Sequence, residues 1–236
     1  TICRYRYVDR VRGTIGAPRA RQAAGAIPAG RPSAAGRVRP RESLALFVVL
    51  AVSAFMLVLF MNWLTILLSF VGAVLTVSYP FMKRWTQLPQ FYLGAAFGWG
   101  VPMAFAAQTG AVPAAAWILF GATLCWAVAY DTAYAMVDRD DDVRVGVKST
   151  AILFGRADRL MILLFHALTL ALLAWAGARA GLGLTYYMGL LLAAGLALYQ
   201  QWLMRERDRD GCFRAFLNNN WFCVAVFVGL VLEYLP

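Results

Sequence analysis

Of 236 residues, 61% are hydrophobic and 14% charged, against roughly 45–50% apolar and 25% charged in soluble domains, so the chain reads as an integral membrane protein. The formal net charge of +10 invites a nucleic-acid partner, but its placement excludes one: residues 1–42 hold ten Arg against Asp9 and Glu42, a net +8, and the rest of the chain adds only +2. A nucleic-acid surface needs Lys and Arg clustered on a folded face with base-reading or stacking partners, and none accompanies this tail.

Residues 1–42, rich in Arg, Ala, Gly and Pro, are expected to be a basic segment, disordered or non-native, ahead of a transmembrane domain over 43–236. They hold no apolar core of the kind a secretory signal needs, so none is expected. Beyond them, uncharged runs long enough to cross a bilayer predict an all-α polytopic fold of about seven transmembrane helices. In chain order these are Ser43–Met61, Trp63–Tyr79, Leu88–Ala107, Pro113–Tyr130, Leu160–Ala178, Leu182–Met204 and Ala215–Leu232. Asn62, Gln108–Pro113 and Ala180–Gly183 mark turns. If the spans alternate, the N-terminal flank, Lys83 with Arg84, the loop Arg139–Arg159 and the loop Arg205–Arg214 share one side and hold 21 of the 22 Lys and Arg; Arg179 alone lies opposite. Basic loops stay in the cytosol, which predicts the side. Cys3, Cys125, Cys212 and Cys223 have no metal-binding spacing and read as packing residues or free thiols, and His166, inside an apolar run, reads as a packing histidine.

The chemistry gathers at the end of the fourth span, where Asp131, Tyr134, Asp138, Asp140, Asp141 and Asp142 follow a long uncharged stretch. At about 100° per residue, a continuous helix would place Asp131, Asp138 and Asp142 within roughly 40° of one another, with Tyr134 about 60° to one side. Each charge would cost about 2.5–3.5 kcal/mol at bilayer depth, so the cluster implies a wet cavity, a cation or a cytosolic rim. Asp138 and Asp142, four residues apart, are suited to Mg²⁺, which takes one or two carboxylates and fills its shell with water and phosphate oxygens. Lys83 and Arg84, ending the second span on the same side, supply cations for a diphosphate. Asp131 is suited to a metal, a water or a substrate proton. The blander reading, a solvated charge run, stays open for this cluster; Asp140 and the alternating run Arg205–Asp210 are expected to be solvated. An EF-hand is excluded, because Val143 stands where Gly is needed and Ser149 where the closing Glu belongs.

From Arg41 to the C-terminus the chain resembles the UbiA-type 4-hydroxybenzoate polyprenyltransferases. The resemblance is carried by Ala127–Asp142, Gly146–Gly155, Tyr79–Arg84, Leu93–Trp99 and Phe216–Asn220, in the family's order. It implies a helical membrane fold around a central cavity, in which Mg²⁺ and a polyprenyl diphosphate meet an aromatic acceptor. Carried over, Asp138 and Asp142 are the metal ligands, and Tyr79, Lys83, Arg84 and Lys148 bind diphosphate. Asp131, Tyr134 and Arg84 take catalytic roles. The implied activity is transfer of a polyprenyl group to 4-hydroxybenzoate in ubiquinone biosynthesis, in a bacterial inner membrane with the acidic motif facing the cytosol.

The family also carries an earlier motif, Asn-Asp-x-x-Asp-x-x-x-Asp, after two further helices, and this sequence has neither. An ungapped alignment puts that motif at Ile15–Gln22, where no carboxylate stands. Residues 1–40 therefore read as a truncation or a shifted reading frame, and the chain is expected to be impaired. Two other functions are weighed: a prenyltransferase of the same superfamily with another aromatic acceptor, and a multi-pass transporter using the carboxylates for ion coupling. The rim position of the acidic cluster and the lack of midplane charge weigh against transport.

Overall fold

The computed structural model describes residues 40–235, without the side chains of 40, 43, 83, 84 and 145. Residues 1–60 and 61–236 form two units. The expected basic segment lies outside the described residues except for its last three, which open α1 (Pro40–Val58). Proline suits the first turn of a helix, which has no use for its missing N–H, and Glu42 complements the positive helix N-terminus.

In the second unit every regular element among the described residues is helical. Asn62 caps α2 (Trp63–Trp85): its Oδ1 accepts the Thr65 N–H at 3.0 Å. Its Nδ2 donates to the Ala106 carbonyl at 2.5 Å, tying this turn to a neighbouring helix end. The third expected span, Leu88–Ala107, is not one helix but two, α3 (Pro89–Gly98) and α4 (Gly100–Thr109), meeting at Trp99. Pro102 explains the break, because it has no N–H for the Gly98 carbonyl and its ring crowds that carbonyl. The Trp99 indole N–H donates to the Leu68 carbonyl at 2.9 Å and pins the break to α2.

Then follow α5 (Ala114–Val137), α6 (Arg139–Val145) and α7 (Thr150–Phe154), with a 3₁₀ turn at Gly155–Ala157. The last three are α8 (Asp158–Ala180), α9 (Leu184–Leu203) and α10 (Arg209–Tyr234). Each segment expected to span overlaps helix, with Leu88–Ala107 divided between α3 and α4; against about seven expected spans, four segments among the described residues meet the length and hydropathy of a membrane crossing. Trp63–Met82, Ala114–Val137, Thr150–Ala180 and Arg209–Tyr234 are long and apolar enough to cross a membrane, and Leu44–Val58 is a shorter apolar helix.

The packing is that of a protein dissolved in lipid. Many buried positions are small or polar, among them Ala116, Ala122, Ala127, Ala193 and the polar Gln90, Thr132, His166 and Gln200, whereas Trp63, Leu67, Phe97, Leu184 and Phe227 are exposed. In a bilayer, helices associate through close approach of small residues and interhelical hydrogen bonds, since lipid tails solvate Leu as well as a core does. The α9–α10 pair, the most extensive in the fold, shows it. A Cβ on Gly189 would stand 2.8 Å from both the Ala225 carbonyl oxygen and Gly229 Cα, so the backbones touch where both residues are glycine. Helix α5 is the hub, packed on α3, α8 and α10. Around its C-terminal end Ala133, Met136, Ala151, Ile162, Met204, Cys212 and Ala215 form one buried layer, which anchors that end of α5 to α7, α8, α9 and α10.

Candidate functional site

The carboxylates expected on one continuous helical face belong to two helices. Helix α5 stops at Val137; Asp138 has φ −92° and ψ 0°, outside the helix, and becomes the residue from which α6 starts. Electrostatics accounts for the break. Continued as one helix, Asp138 and Asp140–Asp142 would crowd the negative C-terminal end of α5; as built, Asp140–Asp142 occupy the first turn of α6, where each carboxylate gains about 0.3–1 kcal/mol from the positive end. Asp residues also favour the position just before a helix.

The i,i+4 relation of Asp138 and Asp142 survives the break. The Asp142 N–H donates to the Asp138 carbonyl at 2.8 Å, and the Val147 N–H donates to the Asp142 carbonyl at 2.9 Å. Asp142 is 2% exposed and Asp138 half-buried. Asp131 belongs to α5, two turns before the break, and is 7% exposed. Gly146 ends α6 in the left-handed region at φ 69°, which favours glycine, and the chain then delivers the half-buried Lys148 to Ser149, whose Oγ accepts the Ile152 N–H and caps α7. Buried contacts hold this segment: the Thr132 and Thr150 hydroxyls are 2.7 Å apart, and the Thr150 N–H donates to Gln90 Oε1 at 3.0 Å.

Tyr79 lies half-buried near the end of α2, within electrostatic reach of Tyr130, as is Asp131. Lys83 and Arg84 sit in the last turn of the same helix, and their side chains lie outside the described residues. The Tyr134 ring meets Phe216 at 4.9 Å, and Trp126 meets Tyr130 at 4.8 Å. A cleft of about 290 Å³ opens between α5 and α10, lined by Trp126, Tyr130, Phe216, Leu217, Asn219 and Asn220. The Trp126 indole N–H donates to Asn219 Oδ1 at 3.1 Å, which orients both side chains at the wall. These lining residues carry no role in the sequence reading, yet a signal was present: Trp126, Tyr130 and Tyr134 recur every four residues and stripe one face of α5 with aromatic rings.

One expectation about charge changes. Asp140 is exposed, as expected, and Asp141 pairs with Arg209 at 3.0 Å and Arg144 at 3.8 Å. The run Arg205–Asp210 is not simply a solvated loop. Arg207 Nε reaches Asp158 Oδ1 at 3.1 Å, and Asp208 caps α10 through the Gly211 N–H at 2.9 Å. The physical reason is Asp158, fully buried and therefore in need of cations, which recruits Arg207 and Arg139. The expectations for the uncharged run hold: the His166 ring packs on Phe222 at 5.3 Å, and the three described cysteines are free.

Asp138 and Asp142, one turn apart across the start of α6, offer hard oxygen donors of the kind Mg²⁺ takes together with water and phosphate oxygens. Among the described residues no group of three His, Cys, Asp or Glu is placed to hold a metal.

The helical fold with apolar spans is that of a polytopic membrane protein, and the chain belongs to the UbiA prenyltransferase family, whose sequence model matches residues 11–225. Among curated relatives it is 61% identical over 203 residues to the 4-hydroxybenzoate octaprenyltransferase of Alkalilimnicola ehrlichii, covering 86% of this chain and 69% of that one. It is 59% identical over 205 residues to the enzyme of the same name from Methylococcus capsulatus, covering 87% and 70%. Among solved structures, the apo form of a UbiA homolog from Aeropyrum pernix K1 superposes with a TM-score of 0.75 at 25% identity, over 88% of this chain and 78% of that one. A structure reported for digeranylgeranylglyceryl phosphate synthase gives 0.66 at 18% identity, over 87% and 74%, a likeness of fold alone.

Proposed function

We propose that this chain transfers a polyprenyl group from a polyprenyl diphosphate to the ring of 4-hydroxybenzoate, a step of ubiquinone biosynthesis. The observation that carries the reading is the 61% identity to a relative bearing that activity in its name, over 86% of this chain. The site supports it from the chemistry. Asp138 and Asp142 would hold Mg²⁺, which would supply positive charge to the departing diphosphate. Tyr79, Lys83, Arg84 and Lys148 bind the diphosphate oxygens and steady the same charge. The allylic C–O bond breaks, diphosphate leaves with the bonding pair, and the cation left behind is sheltered by aromatic faces along Trp126, Tyr130, Tyr134 and Phe216. The ring carbon of the acceptor then forms the new C–C bond and loses its proton. Asp131, beside that aromatic stripe, accepts the proton directly or through water. The site opens to the cytosolic face of a bacterial inner membrane, because basic residues flank it and basic loops are retained there.

The test is transfer of a polyprenyl group to labelled 4-hydroxybenzoate by the purified chain in lipid with Mg²⁺, beside the same assay with other phenolic acids as competitors. Product from 4-hydroxybenzoate, suppressed by more than about 100-fold in Asp138→Asn and Asp142→Asn, is the expected result. Preference for a different phenol would overturn the acceptor assignment.

A further inference from the structure

Asp158 is a carboxylate whose side chain is completely buried, at 0% exposure. It stands at the first turn of α8 and takes two guanidinium groups: Arg139 as a close ion pair, and Arg207 through Nε at 3.1 Å. Its Oδ1 also accepts the Arg159 N–H at 2.6 Å. Both arginines make a second tie into the same corner, Arg139 to the Gly155 carbonyl at 3.5 Å and Arg207 to the Arg156 carbonyl at 2.9 Å. Three separate pieces of chain therefore converge on one carboxylate: the α5–α6 junction, the turn before α8 and the loop between α9 and α10.

Arg207 has φ +55°, a left-handed conformation that side-chain-bearing residues avoid, and it is the one non-glycine with positive φ among the described residues. Only the carboxylate of this ion triad is buried, Arg139 and Arg207 being 27% and 38% exposed; a buried charge costs desolvation that offsets much of its attraction, and the attested use of such a group is to specify one arrangement over others. The arrangement here is that of α6. A helix of seven residues is too short to hold its own shape or direction. Arg139 is its first residue and directly follows Asp138. At the other side of that first turn, Asp141 is held by Arg209 of α10 at 3.0 Å.

We propose that Asp158 is a positioning residue for the acidic site: by gripping Arg139 it sets how α6 departs from α5, and thereby the relative placement of Asp138 and Asp142. The proposal rests on the assignment of those two residues as the Mg²⁺ pair. Asp158 touches neither metal nor substrate, and its effect is exerted through Arg139.

Hydrogen exchange of the full chain in lipid nanodiscs, without metal, tests the positioning itself, and Mn²⁺ binding followed by EPR in the presence of inorganic diphosphate tests its consequence. In Asp158→Asn, amides of residues 139–147 are expected to exchange about tenfold faster while the long helices keep their protection. The Mn²⁺ affinity is expected to fall by about tenfold at unchanged stoichiometry. Unchanged exchange at 139–147, acceleration spread evenly over all helices, or an unchanged Mn²⁺ affinity would each overturn the proposal. Should Asp158→Asn fail to insert, Arg139→Gln cuts the same tie while leaving Asp158 paired with Arg207, and the same local loosening is required of it. Asp138→Asn separates the two layers of inference. If it binds Mn²⁺ like the parent, the metal assignment fails and the exchange arm alone judges Asp158; if it loses Mn²⁺ while Asp158→Asn changes nothing, the positioning role alone fails.

Discussion

At the scale of single residues, the site divides its tasks between charge at one end and aromatic surface at the other. Phe216 stands where they meet, with its ring 4.9 Å from Tyr134 and 6.1 Å from Tyr130 on the wall of the cleft. A developing allylic cation beside such faces gains about 0.5–2 kcal/mol, so Phe216→Ala is expected to lower kcat by roughly tenfold with little change in the KM for 4-hydroxybenzoate. Steady-state kinetics with both substrates varied checks the split; a change confined to KM would assign the ring to acceptor binding instead. The i,i+4 relation of Asp138 and Asp142 was legible from spacing alone, because it is defined by the chain itself. Asp158 was not: a single Asp at a helix start reads as a cap, and its two arginines lie 19 and 49 residues away.

At the scale of elements, apolar runs predicted helices well and their interruptions less well. Pro102 and the carboxylates after Val137 each break what hydropathy reads as continuous, one by removing a donor and the other by preferring a helix start to a helix end. Pairing of helices depends on smaller signals still. Gly189 and Gly229 permit the contact of α9 with α10, and a side chain at Gly229 meets backbone that has no flexible end to move aside. Gly229→Leu is expected to destabilise the protein by about 1–3 kcal/mol, read as a lower unfolding midpoint in detergent. Gly195→Leu on α9, where nothing lies within 4 Å, is the matched control and is expected to leave the midpoint within the spread of surface substitutions. Equal effects of the two would refute the close-contact account.

At the scale of the whole molecule, orientation follows from charge and assembly from small-residue contacts. Asp140 is exposed in α6 and Arg179 exposed at the far end of α8. With the native cysteines replaced, Asp140→Cys is expected to react with a membrane-impermeant thiol reagent only from the cytosolic side of the membrane, and Arg179→Cys only from the other. Labelling in sealed vesicles of known sidedness checks it, and reaction of both from one side would invert or abolish the proposed topology. Membrane residence and the helical class were determined by the sequence by itself, because each depends on composition or local spacing along the chain. The aromatic cleft between α5 and α10 and the corner where Asp158 gathers Arg139 and Arg207 were decided only by the tertiary structure. Each of these depends on which distant residues share a place, and hydropathy along the chain holds no record of that.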